Sequence, residues 1–445
     1  MQTPILDFLK CYDGKNPLRL HMPGHKGTGR LGIEKIDLTE VDGADSLFDA
    51  SGIIAESEQN ASQLFGVDTY YSTEGSSLSI RAMLYLCMQY AKANGKVPFI
   101  LAGRNAHKTF VSALGLLDFK VKWLYSSAKE GYLSCNITAD KIDKTLSKLK
   151  QKPVAVYLTS PDYLGNVLDI KSISSVCKKH GVLLLVDCAH GSYFKFLEKS
   201  QFPTDLGADM CCSSAHKTLP VLTGGAYLHV GEEISKNKSC HVKTALSLFS
   251  STSPSYLIMA SLDGANEVLS NGYSLKLKTV IEQVEKLKAK LKKFGYKLVG
   301  SEPLKLTLKT KDYGYQGVDF ARILQDKNIV CEFFDKDFVV MMFSSQTGEE
   351  DIKLLEKVLL SIDKLPKLAE SDLKFVRPKR KMSVRKAMLS QTVKLSVDDC
   401  ENKVLGALNV SCPPAVQIVC LGEIIDKDTI KVLKYYGVEN CLVLK

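Results

Sequence analysis

Between about Asn60 and Val230, short apolar runs alternate with helix-like segments in this chain of 445 residues. The runs have the length of β-strands and lie at Val97–Leu101, Val121–Leu124, Val154–Thr159, Val182–Asp187 and Gly224–Val230. Alternation of this kind is typical of β-α-β units, in which helices cover a largely parallel sheet. The loops after the strands then meet at one edge of the sheet, where ligands bind. The sequence therefore predicts an α/β fold with its chemistry at the carboxyl ends of strands.

The pattern changes after the segment Leu277–Phe294, whose apolar residues follow helical spacing. Shorter strands follow at Leu304–Leu308 and Phe338–Phe343, and the lysine-rich segment Asp363–Arg385 contains two prolines. These features indicate a smaller α+β domain and a connection to a terminal subdomain. We predict an N-terminal arm at residues 1–55, a large domain at 56–265, a small α+β domain at 266–365 and a C-terminal subdomain at 366–445.

The composition, 45% hydrophobic and 24% charged, is that of a globular protein. The formal net charge is +10, and many lysines lie on helix-like segments, where we expect them to face water. A second basic run, Arg377–Lys381, has no interleaved aromatic residues and no recognition motif, which favours a solvated linker over a nucleic-acid site. We therefore expect no nucleic-acid partner.

The first residues, Met1–Gly14, contain two aspartates and lack an apolar run of signal-peptide length. The longest apolar stretches elsewhere have the length of strands, so we expect a cytoplasmic protein with no membrane partner. The thirteen cysteines are scattered and include no C-x-x-C pair. This distribution favours reduced, mostly buried thiols over disulfides.

An aspartate at the end of a strand-like run and a lysine in a later turn predict the chemistry of the site. Asp187 ends the run that begins at Leu183, and Lys217 lies about thirty residues later in the turn S-S-A-H-K-T-L at Ser213–Leu219. The cofactor pyridoxal 5′-phosphate (PLP) needs an amine to hold its aldehyde and a carboxylate to keep its pyridine nitrogen protonated. We predict that Lys217 and Asp187 meet these needs. The alternative for Asp187 is a helix N-cap.

The loop S-T-E-G-S-S-L-S at Ser72–Ser79 precedes a helix-like segment that begins around Leu78, and it suits a phosphate. Gly75 lets the backbone approach an anion, Ser76 and Ser77 supply donors, and the helix N-terminus adds its dipole. The alternative is an ordinary serine N-cap, although the position of the loop in the chain favours the phosphate.

Three histidines are further candidates: His107 and His190 come after strand-like runs, and His216 immediately precedes Lys217. His107 has the chemistry to lay its imidazole on a cofactor ring, and His190 to orient the Asp187 carboxylate. His216 is a candidate to contact the substrate carboxylate or to donate a proton. The alternatives are structural: strand-end packing for His107, loop packing for His190 and a turn position for His216.

His21 and His25 are four residues apart in H-M-P-G-H-K-G, but Pro23 and Gly24 oppose the helix that would place both imidazoles on one face. No carboxylate or cysteine lies at ligand spacing, so we predict no metal site. A loop at the active site or at a subunit contact is the preferred interpretation.

Over nearly its whole length the chain resembles the Orn/Lys/Arg decarboxylase family of fold-type I, PLP-dependent enzymes. Each motif alone is weak, but eight occur in the family's order. They are H-M-P-G-H-K-G at His21–Gly27, T-E-V-D-G at Thr39–Gly43, Y-S-T-E-G-S-S at Tyr71–Ser77, R-N-A-H-K at Arg104–Lys108, S-P-D-Y-L-G at Ser160–Gly165, D-C-A-H-G at Asp187–Gly191, S-A-H-K-T at Ser214–Thr218 and P-P-x₇-G-E at Pro413–Glu423.

The resemblance implies an aspartate-aminotransferase-like large domain with a mainly parallel sheet, plus a smaller α+β C-terminal domain. It also implies decarboxylation of arginine, lysine or ornithine to the amine and CO2 in polyamine synthesis, by a homodimer or higher homo-oligomer. The chain lacks the long N-terminal wing domain of larger members, so a dimer is expected rather than their higher assemblies.

The resemblance also implies roles for single residues. Lys217 binds the cofactor aldehyde, Asp187 pairs with the pyridine nitrogen, and His107 stacks on the ring. Ser76, Ser77 and Ser214 hold the phosphate beside Gly75, and His216 or the released Lys217 protonates the α-carbon. An acidic group must meet the distal charge of the substrate, and the candidates are Asp42, Asp45, Asp162 and Glu423.

Four departures from the family pattern leave alternatives open. They are Cys188 for glutamate, Asp162 for threonine, Asn402–Lys403 for Gly-Arg and Ala415–Gln417 for Gly-Ile-Pro. None removes Lys217 or Asp187, so cofactor binding is better supported than activity. The alternatives are other PLP chemistry, such as transamination or elimination, and a catalytically weak PLP-binding protein with a regulatory role.

Overall fold

The computed structural model describes residues 1–126, 132–371, 373, 375–408 and 416–445. Its strands in chain order are β1 (Asp68–Ser72), β2 (Phe99–Gly103), β3 (Lys120–Leu124), β4 (Ala155–Thr159), β5 (Leu183–Asp187), β6 (Met210–Ser213), β7 (Ala226–Val230), β8 (Leu298–Val299), β9 (Lys305–Lys309), β10 (Phe333–Phe334), β11 (Phe338–Met342), β12 (Thr392–Ser396) and β13 (Asn440–Leu444).

The α-helices in the same order are α1 (Pro4–Gly14), α2 (Ile53–Phe65), α3 (Gly75–Ala93), α4 (Lys108–Leu116), α5 (Ala139–Lys148), α6 (Ile170–Lys179), α7 (Ala215–Thr218), α8 (Glu232–Ser235), α9 (Val242–Ser247), α10 (Tyr256–Ser270), α11 (Tyr273–Phe294), α12 (Gly317–Gln325), α13 (Glu349–Leu360), α14 (Val384–Met388) and α15 (Lys427–Tyr435). None of the helices in the described ranges is long and apolar enough to cross a bilayer.

The chain forms two compact units, and the first comprises Met1–Val97 and Ile170–Leu277. In this unit β5 pairs parallel with β6, whereas β7 pairs antiparallel with both β6 and β1. All five residues of β5 are buried, as expected for a parallel strand covered on both faces. The register places Asp187, the last residue of β5, opposite Cys212 of β6. The strand ends that carry the predicted chemistry are therefore neighbours.

Local signals explain where the helices of the first unit begin and end. Helix α2 ends at Phe65 because Gly66 takes the left-handed conformation at a φ of 68°, and its N–H donates to the Ser62 carbonyl. Helix α10 begins after Ser255, whose hydroxyl accepts the N–H of Ile258 at 3.4 Å. These caps fix the ends of helices that pack together in this unit.

The second unit comprises Pro98–Asp169 and Lys278–Lys445. Here β2 pairs parallel with both β3 and β4. A separate antiparallel sheet has the strand order β10-β11-β9-β8, and β12 and β13 form an antiparallel ribbon. The second unit thus combines a parallel α/β part with α+β parts.

One buried cluster in the second unit joins its C-terminal segments to the rest of that unit. It includes Leu133 from the segment after β3, Leu164 from the loop after β4, Val340 from β11, and Val419 and Val443 from the C-terminal part. The terminal ribbon therefore shares a core with loops that follow parallel strands, which places C-terminal side chains near those loops.

The structure bears out most of the predicted elements. The five strand-like runs correspond to β2, β3, β4, β5 and β7 within two residues at each end, and the two later runs correspond to β9 and β11. The helix predicted from Leu277 begins four residues earlier as α11. Strands β1 and β6 were not predicted, and the predicted domain boundaries stay predictions.

The cysteines that the structure describes, twelve of the thirteen, are all free. Most are buried, and burial raises the pKa of several of their thiols. For Cys177 and for Cys441 the pKa rises to about 12. These side chains therefore behave as small core residues.

Candidate active site

Lys217 lies in the short helix α7, directly after β6. Its Nζ is 3.0 Å from Nε2 of His190, in the loop after β5. The two loops are also joined through the backbone, because the Ser214 N–H donates to the Ala189 carbonyl at 3.3 Å. The structure therefore brings together the lysine turn and the aspartate loop that the sequence analysis singled out.

Asp187 ends β5 and is only 3% exposed. Its Oδ1 accepts the N–H of Ala189 at 3.2 Å and lies 3.6 Å from Sγ of Cys212. Burial, followed by the Asp187 charge, raises the pKa of the Cys212 thiol well above its ordinary value, so the thiol stays protonated and can donate. A carboxylate this deeply buried suits a cationic N–H, because burial without a partner is costly.

The start of α3 has the geometry of an anion site. Helix α3 begins at Gly75, which has a φ of 67°, and the Gly75 N–H donates to the Gly224 carbonyl at 2.7 Å. Ser76 and Ser77 occupy the first turn, whose N–H groups have no acceptor within a helix. Because α3 is 19 residues long, its dipole adds to these donors. The helix begins three residues earlier than predicted, which places both serines inside the first turn.

Two hydroxyls on either side of Lys217 lack partners. Ser214 Oγ and Thr218 Oγ1 are buried, and neither makes a hydrogen bond to any group in the described part of the chain. Buried polar atoms in folded proteins nearly always have a partner, so these two indicate a place prepared for a polar ligand. An amine, two buried hydroxyls and a buried carboxylate that accepts hydrogen bonds form a set of groups that fits PLP. Ser214 was predicted, whereas Thr218 was not.

His216 lies beside the start of α3. Its backbone N–H donates to the Gly225 carbonyl at 3.1 Å, and its ring Nδ1 is 2.9 Å from the same oxygen. A carbonyl oxygen only accepts, so Nδ1 carries a proton. A Cβ atom placed on Gly75 would lie 3.9 Å from Cε1 of His216. The histidine is thus close to the predicted phosphate site, and its predicted contact with substrate stays a prediction.

His107 belongs to the second unit and caps α4. Its Nδ1 accepts the N–H of Thr109 at 3.2 Å, so a neutral ring carries its proton on Nε2. His107 also forms an isolated antiparallel bridge with Val416. The structural role that the sequence left open is therefore present, and the stacking of His107 on a cofactor ring stays a prediction.

The acidic candidates of the first unit differ in their surroundings. Asp42 is exposed, whereas the Asp45 carboxylate accepts five backbone N–H groups, four of them at the start of α2 and one from Ser46. Burial alone would raise the pKa of Asp45, but these hydrogen bonds outweigh it and leave the pKa lowered. Asp45 therefore acts at least as a helix cap.

The acidic candidates of the second unit are both buried. Asp162 Oδ1 accepts the backbone N–H groups of Leu164 and Asn166 at 3.0 and 2.9 Å, within its own loop. Burial raises the pKa of Asp162, and the contacts with Asn166 oppose that rise. Glu423 is 2% exposed, and its Oε2 accepts Nη2 of Arg104 at 3.0 Å. Both residues have structural contacts, and their predicted contact with substrate stays a prediction.

Arg104 is a residue whose importance sequence reasoning missed, although it opens the motif R-N-A-H-K. Its guanidinium is 4% exposed and bonds several atoms of the loop that carries Glu423. The signal was the cost of burying an arginine immediately after a strand, which demands an acid nearby. The motif alone did not say where that acid lies.

The two histidines of the N-terminal arm have partners other than a metal. Nε2 of His21 contacts the Tyr12 hydroxyl, and Nε2 of His25 lies 3.2 Å from Asp37 Oδ2. Among the described residues, no three or more His, Cys, Asp or Glu side chains are grouped as metal ligands would be.

A family model described as "Orn/Lys/Arg decarboxylase, major domain" matches residues 3–302, which include both Lys217 and Asp187. The chain belongs to the Orn/Lys/Arg decarboxylase family. The predicted family is thereby confirmed. Relatives of this family member include the arginine decarboxylase of Halalkalibacterium halodurans, 28% identical over 97% of this chain and 93% of the relative. The arginine decarboxylase of Bacillus subtilis is 26% identical over 96% of this chain and 92% of the relative.

A solved structure of a Francisella novicida lysine decarboxylase resembles this Orn/Lys/Arg decarboxylase family member, with a TM-score of 0.80 and 16% identity. The match covers 100% of this chain and 81% of that chain. At this identity the likeness shows the fold, and it confirms the predicted α/β class with a mainly parallel sheet and a smaller α+β part.

Proposed function

We propose that this protein is a PLP-dependent decarboxylase that converts arginine, lysine or ornithine to the corresponding amine and CO2. The observation that carries the proposal is the environment of Lys217. Its amine lies 3.0 Å from Nε2 of His190, and the buried hydroxyls of Ser214 and Thr218, on either side of it in the chain, have no hydrogen-bond partner among the residues that the structure describes. Membership of the Orn/Lys/Arg decarboxylase family supports the reaction, and the names of the relatives support the substrate class.

PLP, when bound, supplies an electron sink for the electron pair that remains on the α-carbon as the carboxylate leaves. In our proposal the Lys217 amine holds its aldehyde, and the buried Asp187 carboxylate accepts the pyridinium N–H. The first turn of α3 at Ser76 and Ser77 holds the phosphate with Ser214. His107 is assigned to the ring face.

The protein side chains also manage protons. A lysine must lose a proton before it acts as a nucleophile, and Nε2 of His190 lies at hydrogen-bond distance to accept it. In His216, the Nδ1 proton is directed at the Gly225 carbonyl, so Nε2 is the atom that can deliver a proton to the α-carbon when the ring is charged. Lys217, once released, is the second candidate donor.

The distal cation of the substrate needs a carboxylate, and the existing contacts of the four candidates support an order among them in our proposal. Asp42 is exposed, whereas Asp45, Asp162 and Glu423 already accept hydrogen bonds from their own unit. We therefore propose Asp42 as the first candidate for this carboxylate. We further propose that the enzyme is a cytoplasmic homodimer that serves polyamine synthesis.

The test incubates the purified protein and PLP with arginine, lysine and ornithine separately. Amine released with an equal amount of CO2 supports the proposal. Keto acid or ammonia in place of the amine would assign other PLP chemistry. Bound cofactor without any product would indicate the regulatory alternative. Asn402 and Lys403, which replace the family's Gly-Arg, motivate that alternative.

Lys217→Ala should abolish the visible absorbance of lysine-bound PLP and all turnover, while the protein stays folded, because the substitution removes the amine that holds the aldehyde. Lys236→Ala is the matched control, since Lys236 lies in the same unit with its side chain 76% exposed. Absorbance spectra and amine release decide the outcome. Activity that persists in Lys217→Ala would refute the assignment of the lysine.

A further inference from the structure

A loop near the C-terminus is clamped onto Arg104, within the second unit. The two terminal nitrogens of the guanidinium contact four atoms of this loop. These atoms are the Gln417 carbonyl oxygen (2.8 Å), Cys420 Sγ (2.9 Å), the Ile418 carbonyl oxygen (3.0 Å) and Glu423 Oε2 (3.0 Å). We call this loop, residues 416–423, the clamp loop. A single arginine thus fixes the path of the clamp loop through several directed bonds.

Glu423 supplies the charge that makes this arrangement tenable. Arg104 and Glu423 have side chains only 4% and 2% exposed. The same Oε2 atom also accepts the N–H of Cys420 at 2.7 Å, so the carboxylate holds both the cation and the loop backbone. Burial lowers the pKa of Arg104, but the neighbouring Cys420 and Glu423 outweigh burial and leave it raised. The guanidinium therefore stays charged and needs its acid.

The clamp loop also reaches His107. Val416, at the start of the loop, forms an antiparallel bridge with His107. Arg104 lies in a turn closed by the Ala106 N–H, which donates to the Gly103 carbonyl at 3.2 Å, and His107 directly follows this turn. The clamp loop thus contacts this segment both at Arg104 and at His107. The His107 side chain in turn caps α4.

We propose that Glu423 is a positioning residue that, through Arg104 and the clamp loop, holds His107 in place for the cofactor. The inference rests on the proposed function, in which His107 contacts the ring. It gives the C-terminal subdomain a part in catalysis without contact between Glu423 and the substrate. A displacement of about 1 Å at a positioned group can cost about a hundredfold in rate, so such a part is measurable.

The chain carries its own reporter of the clamp. Trp123 is the only tryptophan in the sequence, and its ring centroid lies 5.1 Å from the Arg104 guanidinium carbon. A cation at this distance interacts with the indole face, so loss of the clamp changes the fluorescence of that one residue. The readout does not require turnover.

The experiment compares Glu423→Gln with the parent holoenzyme, using Trp123 fluorescence, circular dichroism of the bound PLP band, and kcat and KM. We expect a shifted tryptophan emission, a weaker PLP band and a kcat about a hundredfold lower, with KM changed less than about threefold. Asp337→Asn is the matched control, because it breaks the ion pair with Lys311 in the same unit, and it should leave all readouts near the parent.

The inference is overturned if the parent is active and Glu423→Gln keeps the parent's PLP band and kcat, whatever the Trp123 emission shows. An unchanged Trp123 emission overturns the clamp itself. A parent without PLP absorbance or turnover is instead a failure of the proposed function, which separates the two. Should Glu423→Gln fail to fold, the double variant Arg104→Met with Glu423→Leu removes both buried charges together, and parental kcat in that variant also overturns the proposal.

Discussion

Replacing Lys243 with methionine removes the cation that faces the buried carboxylate of Glu58. The Lys243 Nζ atom lies 2.7 and 2.6 Å from the two Glu58 oxygens and donates to the Leu47 carbonyl at 2.6 Å. The N–H of Tyr71 donates to the same carboxylate at 2.9 Å. This ion pair therefore ties α2, β1 and α9 to the loop that carries Asp45.

The structure sets the size of the expected loss. Two unit charges 2.6 Å apart attract by about 6 kcal/mol at an effective dielectric constant of about 20. Deleting one partner of a buried pair costs about 3–5 kcal/mol, and the 24% exposure of the Lys243 side chain favours the lower end of that range. For a unit of about 200 residues, a loss of about 3 kcal/mol lowers the melting temperature by about 6–12 °C.

The stability lost in Lys243→Met should depend on pH. Burial raises the pKa of Glu58 above its ordinary 4.5, and the Lys243 charge opposes that rise, so the pKa rises further in the variant. A carboxyl with a raised folded pKa contributes stability that is present below its unfolded pKa and is lost as pH rises through the folded value. The deficit of Lys243→Met should therefore be large at about pH 8 and shrink toward about pH 4.

Thermal unfolding followed by circular dichroism measures this deficit across that pH range. The control is Lys236→Met, which removes an exposed pair with Glu232 and should leave the stability near that of the parent at every pH. The double variant Lys243→Met with Glu58→Leu should recover part of the loss, because no lone charge stays buried. A deficit below about 1 kcal/mol that does not change with pH would refute the reasoning.

Two further predictions concern groups buried near the site. Asp187→Asn should retain PLP absorbance but lower kcat about a hundredfold or more, because a neutral amide does not keep the pyridine nitrogen protonated; parental kcat and spectrum would leave Asp187 as a strand-end cap. Burial lowers the pKa of His229 from 6.5 to about 3, while Thr69 and Ser213 bond to its ring. The neutral, buried His229 ring therefore contributes stability that is present above pH 6.5. This contribution is lost as the pH falls toward 3, at up to about 1.4 kcal/mol per pH unit. As the pH is lowered from about 7 to about 4, the melting temperature of the parent should fall more steeply than that of His229→Gln. Parallel curves of melting temperature against pH would contradict the prediction.

Most of the strands that the sequence predicted, such as β2, β4, β5 and β7, are buried apolar runs, whereas the predicted β3 exposes two lysines. Parallel strands covered on both faces appear as unbroken apolar runs, and β5 is such a strand. By contrast, β1 has the sequence D-T-Y-Y-S and β6 has M-C-C-S. Their assignment depends on pairing with β7, which is distant in the chain for β1, and no local pattern encodes that pairing.

The candidate site divides in the same way. Asp187 ends a predicted strand, where the fold directs chemistry, and Lys217 and Ser214 were found from their motif. Strand β6, which places Lys217 and Ser214 beside the Asp187 loop, was not predicted. The role of Asp45 at the start of α2 was not predictable, because five backbone donors converge on it only after the chain turns at a φ of 66°. The pairing of Arg104 with Glu423 joins residues more than three hundred positions apart, which periodicity does not report.

Each compact unit is assembled from two stretches separated by part of the other unit. During synthesis on the ribosome, β1 emerges long before β7, its partner at residues 226–230, so the first unit has no complete sheet until that strand has left the exit tunnel. The nascent polypeptide therefore carries unpaired strand edges for an extended time, and chaperones that shield such edges should govern the yield of the native protein.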